Sequence, residues 1–82
     1  MRTTSILQPS DDTTLIHLVA EDRPGLLYDT VSVMSSEGCN IEVVLIDTEA
    51  HKAIDVFYIT WQGSKLSRRQ EERLRQSLLA VL

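Results

Sequence analysis

Cysteine, proline and glycine are scarce in this chain: one, two and three among 82 residues. The single Cys39 can form no internal disulfide, which fits a reducing compartment and a cytoplasmic location. It has no flanking His or Lys to hold it as a thiolate, so it reads as a buried structural thiol. Gly25, Gly38 and Gly63 all fall at element boundaries, and no phosphate-cradling loop can be assembled from them. His17 and His51 lie far apart, with no Cys or carboxylate at zinc-ligand spacing, so no metal or cofactor is expected. Serine occurs in no Gly-x-Ser-x-Gly elbow, and Cys39 has no evident base. No catalytic residue emerges, and no enzymatic activity is expected of the chain itself. No apolar run approaches the roughly 20 residues needed to span a bilayer. Residues 1–12 carry one Arg and no apolar targeting core, so neither a signal peptide nor a membrane partner is expected.

Charge and aromatics exclude a further class. Twelve acids against eight bases give a net charge of −4, which disfavours nucleic acid as a partner. Five of those bases (Lys65, Arg68, Arg69, Arg73, Arg75) lie in residues 65–82 beside Glu71 and Glu72. Interleaved in this way, they read as a solvated helix face rather than a docking patch. Phe57, Tyr58 and Trp61 crowd onto a single strand, whereas sheet-type RNA readers stack bases on two central strands.

What is present describes one α+β domain. A composition of 43% apolar and 24% charged residues is that of an ordered chain, and 82 residues accommodate one core. Residues 3–8 form a short extended segment ended by Pro9 and a polar turn. Residues 13–20 alternate as a strand, with Ile16, Leu18 and Ala20 on one face and Leu15, His17 and Val19 on the other. Apolar residues on both faces call for cover on both sides. Asp22 is placed to cap a helix whose first turn holds Pro24. Leu27, Val31 and Met34 set the helical spacing of residues 25–37, and Gly38 suits its end. Leu27 and Ile41 read as core residues. Strands follow at 40–48 and 52–61, and Asp55, among apolar residues on the second, suggests a perturbed acid but reads more simply as a sheet-edge or hydrogen-bonded carboxylate. Ser67 and Gln70 match a capping box for a last helix bearing Leu74, Leu78, Val81 and Leu82.

The order β-β-α-β-β-α places two helices on one face of a four-stranded antiparallel sheet. From the second strand onward it is a ferredoxin-like unit lacking its last strand. A hairpin would put residues 3–8 in the vacant slot, so the N-terminal strand replaces the usual last one. The alternative is a loose tail with an open sheet edge. Trp61 fits either an interface or a core plug.

One turn has a chemical use. Asp22-Arg23-Pro24-Gly25 joins a central strand to a helix, where free amides and the helix dipole attract an anion. Gly25 has no Cβ and permits close approach. A carboxylate held there, with an ammonium answered by Asp22 or a neighbouring strand, describes a free amino acid.

Three segments carry a family resemblance: Asp22-Arg23-Pro24-Gly25-Leu26-Leu27, Gly38 followed by Asn40-Ile41, and Asp55-Val56-Phe57-Tyr58-Ile59-Thr60. Across residues 13–61 the chain resembles an ACT domain, a small-molecule sensing module of amino-acid metabolism. With Leu-Leu-Tyr-Asp and Lys65-Leu66 added, it is most similar to the C-terminal ACT domains of PII uridylyltransferase/uridylyl-removing enzymes. The resemblance implies a ferredoxin-like sandwich over residues 1–82, with an extra strand at 3–8 and an ACT core at 13–82. It implies a regulatory role in nitrogen signalling, with glutamine as the leading effector and catalysis in domains outside this chain. By position, the effector would contact Asp22, Arg23, Pro24, Gly25, Leu26 and Leu27, with Asn40 and Ile41 supplied by a paired domain. ACT domains commonly pair, so the expected partner is a second copy, as homodimer or tandem repeat. A pairing module without ligand, or a standalone ACT-repeat protein, are the alternatives. Two departures from the pattern stand out. The hairpin Thr48-Glu49-Ala50-His51-Lys52-Ala53 lacks the family's glycine, which disfavours a turn of positive φ. Trp61 replaces an Asp after the third strand of the unit.

Overall fold

The computed structural model describes residues 3–82. Met1 and Arg2, the start of the segment read as carrying no targeting signal, lie outside the described residues. The elements are β1 (Thr3–Leu7), β2 (Thr14–Glu21), α1 (Leu26–Ser36), β3 (Asn40–Glu49), β4 (Lys52–Thr60) and α2 (Arg68–Val81). All strand pairs are antiparallel, in the order β1-β2-β4-β3. This is the ferredoxin-like arrangement, with β1 in the slot the sequence assigned to it.

Three contacts explain why β1 stays there. Its register runs from Thr3 opposite Val19 to Leu7 opposite Leu15. Arg75 of α2 donates to the Thr4 carbonyl at 2.7 Å. Just beyond the strand, Gln8 accepts from the Thr14 hydroxyl at 2.9 Å and donates to the Leu66 carbonyl at 3.1 Å. Thr14 is fully buried, and its Oγ1 also accepts the Leu66 N–H at 2.9 Å. One hydroxyl thus joins the first hairpin to the segment that leads into α2.

The strand alternation sorts residues as period 2 requires. Ile16, Leu18, Ala20, Ala53, Phe57 and Ile59 face the helices and form the core with Leu26, Met34, Leu66, Leu74 and Leu78. The opposite face carries Leu15, His17, Val19, Ile54, Val56 and Tyr58, half-buried, with Val43 and Leu45 exposed on β3. Trp61 packs against the core and lies over Gly38, where a Cβ would sit 3.1 Å from the indole Nε1. Gly38 also takes φ 82°, and the Gly38 and Cys39 amides bond the Ser35 and Met34 carbonyls, the two bonds of a Schellman ending. The capping box at Ser67 is formed: its hydroxyl accepts the Gln70 N–H, and the Gln70 side chain accepts the Ser67 N–H.

Two sequence expectations are corrected. Asp22 does not cap α1. The cap position is Gly25, at φ 84°, with no side-chain cap bond, and Pro24 precedes the helix instead of occupying its first turn. The left-handed Gly25 redirects the chain, so the helix starts at Leu26, beyond the reach of Asp22. The buried stripe of α1 is Leu26, Thr30 and Met34, not Leu27, Val31 and Met34, and Leu27 is 41% exposed. Thr30 can enter the core because its hydroxyl donates to the Leu26 carbonyl at 2.8 Å.

Candidate functional site

The β2–α1 turn borders a cavity of about 300 Å³. Asp22, Arg23, Gly25, Leu26 and Leu27 line it from the turn side, together with Tyr28. The sheet contributes Ile46 of β3 and Ala53 and Asp55 of β4. Five of the eight residues singled out in the sequence therefore meet at one place. Pro24 belongs to the same turn without lining the cavity.

Backbone bonds hold the turn in shape. The Asp22 N–H donates to the His51 carbonyl at 2.9 Å, tying the turn to the β3–β4 hairpin. That hairpin closes through Ala50 and His51, both at positive φ (49° and 71°) despite the missing glycine. Arg23 clamps the turn from the other side. One of its Nη atoms bonds the Asp29 carboxylate at 2.9 Å and the Val81 carbonyl at 2.7 Å, and the other bonds the Pro24 carbonyl at 3.3 Å. The guanidinium thus joins the turn, α1 and the end of α2. Because Asp29 already answers its charge, the turn is not strongly cationic.

Asn40 and Ile41 lie elsewhere. They pair with Thr60 and Ile59, whereas the Ala20 and Glu21 end of β2 pairs with Ala53 and Lys52, at the opposite end of β4. Asn40 donates to the Glu42 carboxylate at 2.8 Å, which also accepts from the Thr60 hydroxyl at 3.0 Å. Glu42 sits at the register shift between Ile41 and Val43. Ile41 is half-buried against the core. Within one chain these two residues do not join the turn.

Of the readings open to Asp55, the sheet edge is corrected. It lies on a central strand, not a sheet edge, and is 2% exposed, with its Oδ1 unbonded among the described residues. Burial raises its carboxyl above the usual carboxylate range, Asp22 adds to the rise, and the Asp47 backbone N–H opposes it. A signal was available: Asp55 occupies the inward phase shared by Ala53 and Phe57. Cys39, expected to be a buried thiol, is only half-buried, and its pKa is raised by burial and by Glu37. Among the described residues, no cluster of His, Cys, Asp or Glu could hold a metal, and no helix is long and apolar enough to cross a membrane.

Comparison with known proteins gives one consistent answer. A segment of the bifunctional uridylyltransferase/uridylyl-removing enzyme of Gluconobacter oxydans is 41% identical over 75 residues, covering 89% of this chain and 8% of that enzyme. The Vibrio vulnificus enzyme of the same name is 40% identical over 67 residues, covering 80% of the chain. That of Azospirillum brasilense is 44% identical over 71 residues, covering 84%. The chain is similar to one short segment of these enzymes. It spans about 8% of the length of the curated relatives it matches. No family model matches it.

Proposed function

We propose that this chain is an ACT-type regulatory domain of a PII uridylyltransferase/uridylyl-removing enzyme, sensing an amino acid, with glutamine as the leading effector. The similarity to one segment of such enzymes over most of the chain is the observation that carries this reading. The ferredoxin-like sheet, and a cavity where Asp22-Arg23-Pro24-Gly25-Leu26-Leu27 starts a helix, support it. The cavity volume is at the lower end of the roughly 300–1,000 Å³ usual for small-molecule sites, suited to one amino acid. Uridylyl transfer and removal on the PII protein would belong to other domains of the parent enzyme.

Regulation requires that the effector favour one arrangement of paired domains over another, since equal affinity shifts no equilibrium. Pairing side by side would bring Asn40 and Ile41 of one copy towards the turn of the other. A second copy would also cover the apolar sheet face carrying Leu15, Val19, Val43 and Leu45. The exposure of Val43 and Leu45 (46% and 55%) favours pairing as a second reading even without a ligand.

The test is a thermal melt of the chain with each of the twenty amino acids at millimolar concentration, alongside its mass in solution. A binder gains RT ln(1 + [L]/Kd), about 2.7 kcal/mol at a hundredfold excess over Kd. For a domain this size that raises Tm by at least about 10 °C. A shift with glutamine alone supports the sensor. A dimer with no shift for any amino acid leaves pairing as the function.

A further inference from the structure

Two chemically opposite features line the cavity beside the β2–α1 turn. One is the start of α1, an 11-residue helix whose Leu27 and Tyr28 N–H groups make no hydrogen bond among the described residues. Unsatisfied amides and the helix dipole make the helix start favourable for an anion. The other is Asp55, the most deeply buried residue of the lining, with an oxygen that has no hydrogen-bond partner among the described residues. Leu26, Ile46 and Ala53 supply apolar lining in the same cavity.

The Asp47 backbone N–H acts on the Asp55 carboxylate, but Oδ1 stays buried without a partner, which is unfavourable unless a donor or a cation completes it. Arg23 is not that cation, because its guanidinium is bonded to Asp29 and to the carbonyls of Pro24 and Val81. Asp22 adds a second negative charge near Asp55. Arg23, the cation of the lining, is engaged elsewhere, which leaves the acceptor to a ligand that brings its own.

We propose that Asp55 is the cation receptor of this site, accepting a hydrogen bond from the ammonium of a free α-amino acid whose carboxylate lies on the first amides of α1. The proposal rests on the amino-acid-sensing reading above and narrows it: the ligand must be a zwitterion with an unsubstituted amino group. Keto acids, N-acylated amino acids and dicarboxylates lacking nitrogen are then excluded by the same residue that holds the ligand. Asp55 would serve recognition at the expense of stability, a familiar property of binding sites.

The experiment is calorimetric titration of the wild-type chain and of Asp55→Asn with glutamine, 4-carbamoylbutanoate (glutamine without its amino group) and N-acetylglutamine. A melting curve of the variant shows that it is folded. On the wild-type chain, glutamine is expected to bind at least about 30-fold more tightly than either analogue, the loss typical of breaking one buried charge pair. In Asp55→Asn, glutamine binding is expected to fall by a similar factor while the variant melts no lower than wild type. Wild-type affinity that is equal for glutamine and 4-carbamoylbutanoate overturns the proposal without using any variant. Glutamine binding that Asp55→Asn leaves unchanged also overturns it, while the amino-acid reading stands. No binding of any of the three to the wild-type chain overturns the glutamine reading itself, and the proposal with it.

Discussion

Replacing Ala50-His51 by Asn-Gly should stabilise the protein while leaving the backbone of the site intact. Both residues connect β3 to β4 as a two-residue loop at positive φ. That is the pattern of a type I′ turn, which Asn-Gly satisfies better than any other common pair. An L-residue held in the left-handed region costs about 1–2 kcal/mol relative to a relaxed conformation. Asn tolerates that region, and Gly has no penalty there, although Gly at position 51 costs about 0.4–1 kcal/mol through the freedom it adds to the unfolded chain. The net gain is about 1–2 kcal/mol. This is a large fraction for a domain of 82 residues, whose total stability is expected to be about 4–12 kcal/mol. At roughly 4–8 °C per kcal/mol, Tm should rise by about 5–15 °C. Urea unfolding should show a higher midpoint at an unchanged slope, because the surface exposed on unfolding is nearly the same. The bond from the Asp22 N–H to the carbonyl of residue 51 uses backbone alone, so hydrogen exchange at Asp22 should be at least as slow as in wild type. A β-branched residue in the same place, His51→Val, should lower the midpoint and speed exchange at Asp22. An Asn-Gly variant that melts at or below the wild-type temperature would refute the reasoning from strain.

Two further predictions concern buried polar groups. Thr14→Val leaves the buried Leu66 N–H without its acceptor and should cost about 1–3 kcal/mol, whereas Thr14→Ser keeps the hydroxyl and should cost less, about 1 kcal/mol for the lost methyl. Equal losses in the two variants, read from urea midpoints, would show that the hydroxyl is not what joins β2 to the α2 approach. Asp55, facing Asp22 and Arg23, has a carboxyl raised by burial and by Asp22. As pH rises past the unfolded value of about 3.9, the unfolded chain loses this proton first. Stability from this group is therefore full below that pH, and is lost as pH climbs through the higher folded value. The loss is about 1.4 kcal/mol for each unit by which the folded value is raised. Asp55→Asn should remove that part of the decline and melt above wild type at neutral pH, and parallel Tm–pH curves from pH 3 to 8 would count against it.

Much of this architecture was local and therefore legible. The strands announced themselves by β-branched alternation, and the capping box of α2 by Ser67 and Gln70. The end of α1 was marked by Gly38, and the short turn after residue 8 pointed to β1 filling the vacant sheet slot. Each depends on residues near one another along the chain. The β2–α1 turn was likewise visible as a cluster, because Asp22 to Leu27 are consecutive.

What the sequence could not determine depended on backbone choices and on partners that only folding brings together. Thr30 displaced Leu27 from the core because a backbone carbonyl satisfies its hydroxyl, which a count of apolar residues does not register. Asp22 lost its capping role because Gly25 turns left-handed, a backbone choice that composition allows but does not impose. Whether Asp55 was a perturbed acid or an ordinary strand carboxylate was decided only by its burial on a central strand, paired with β2 and β3. The same pairing sent Asn40 and Ile41 to the far end of β4 from the turn, since antiparallel register fixes which ends of the strands meet. Sequence by itself determined the elements and the turn; tertiary packing decided which faces were buried and which carboxylate reached the cavity, because burial is a property of neighbours brought together only by folding.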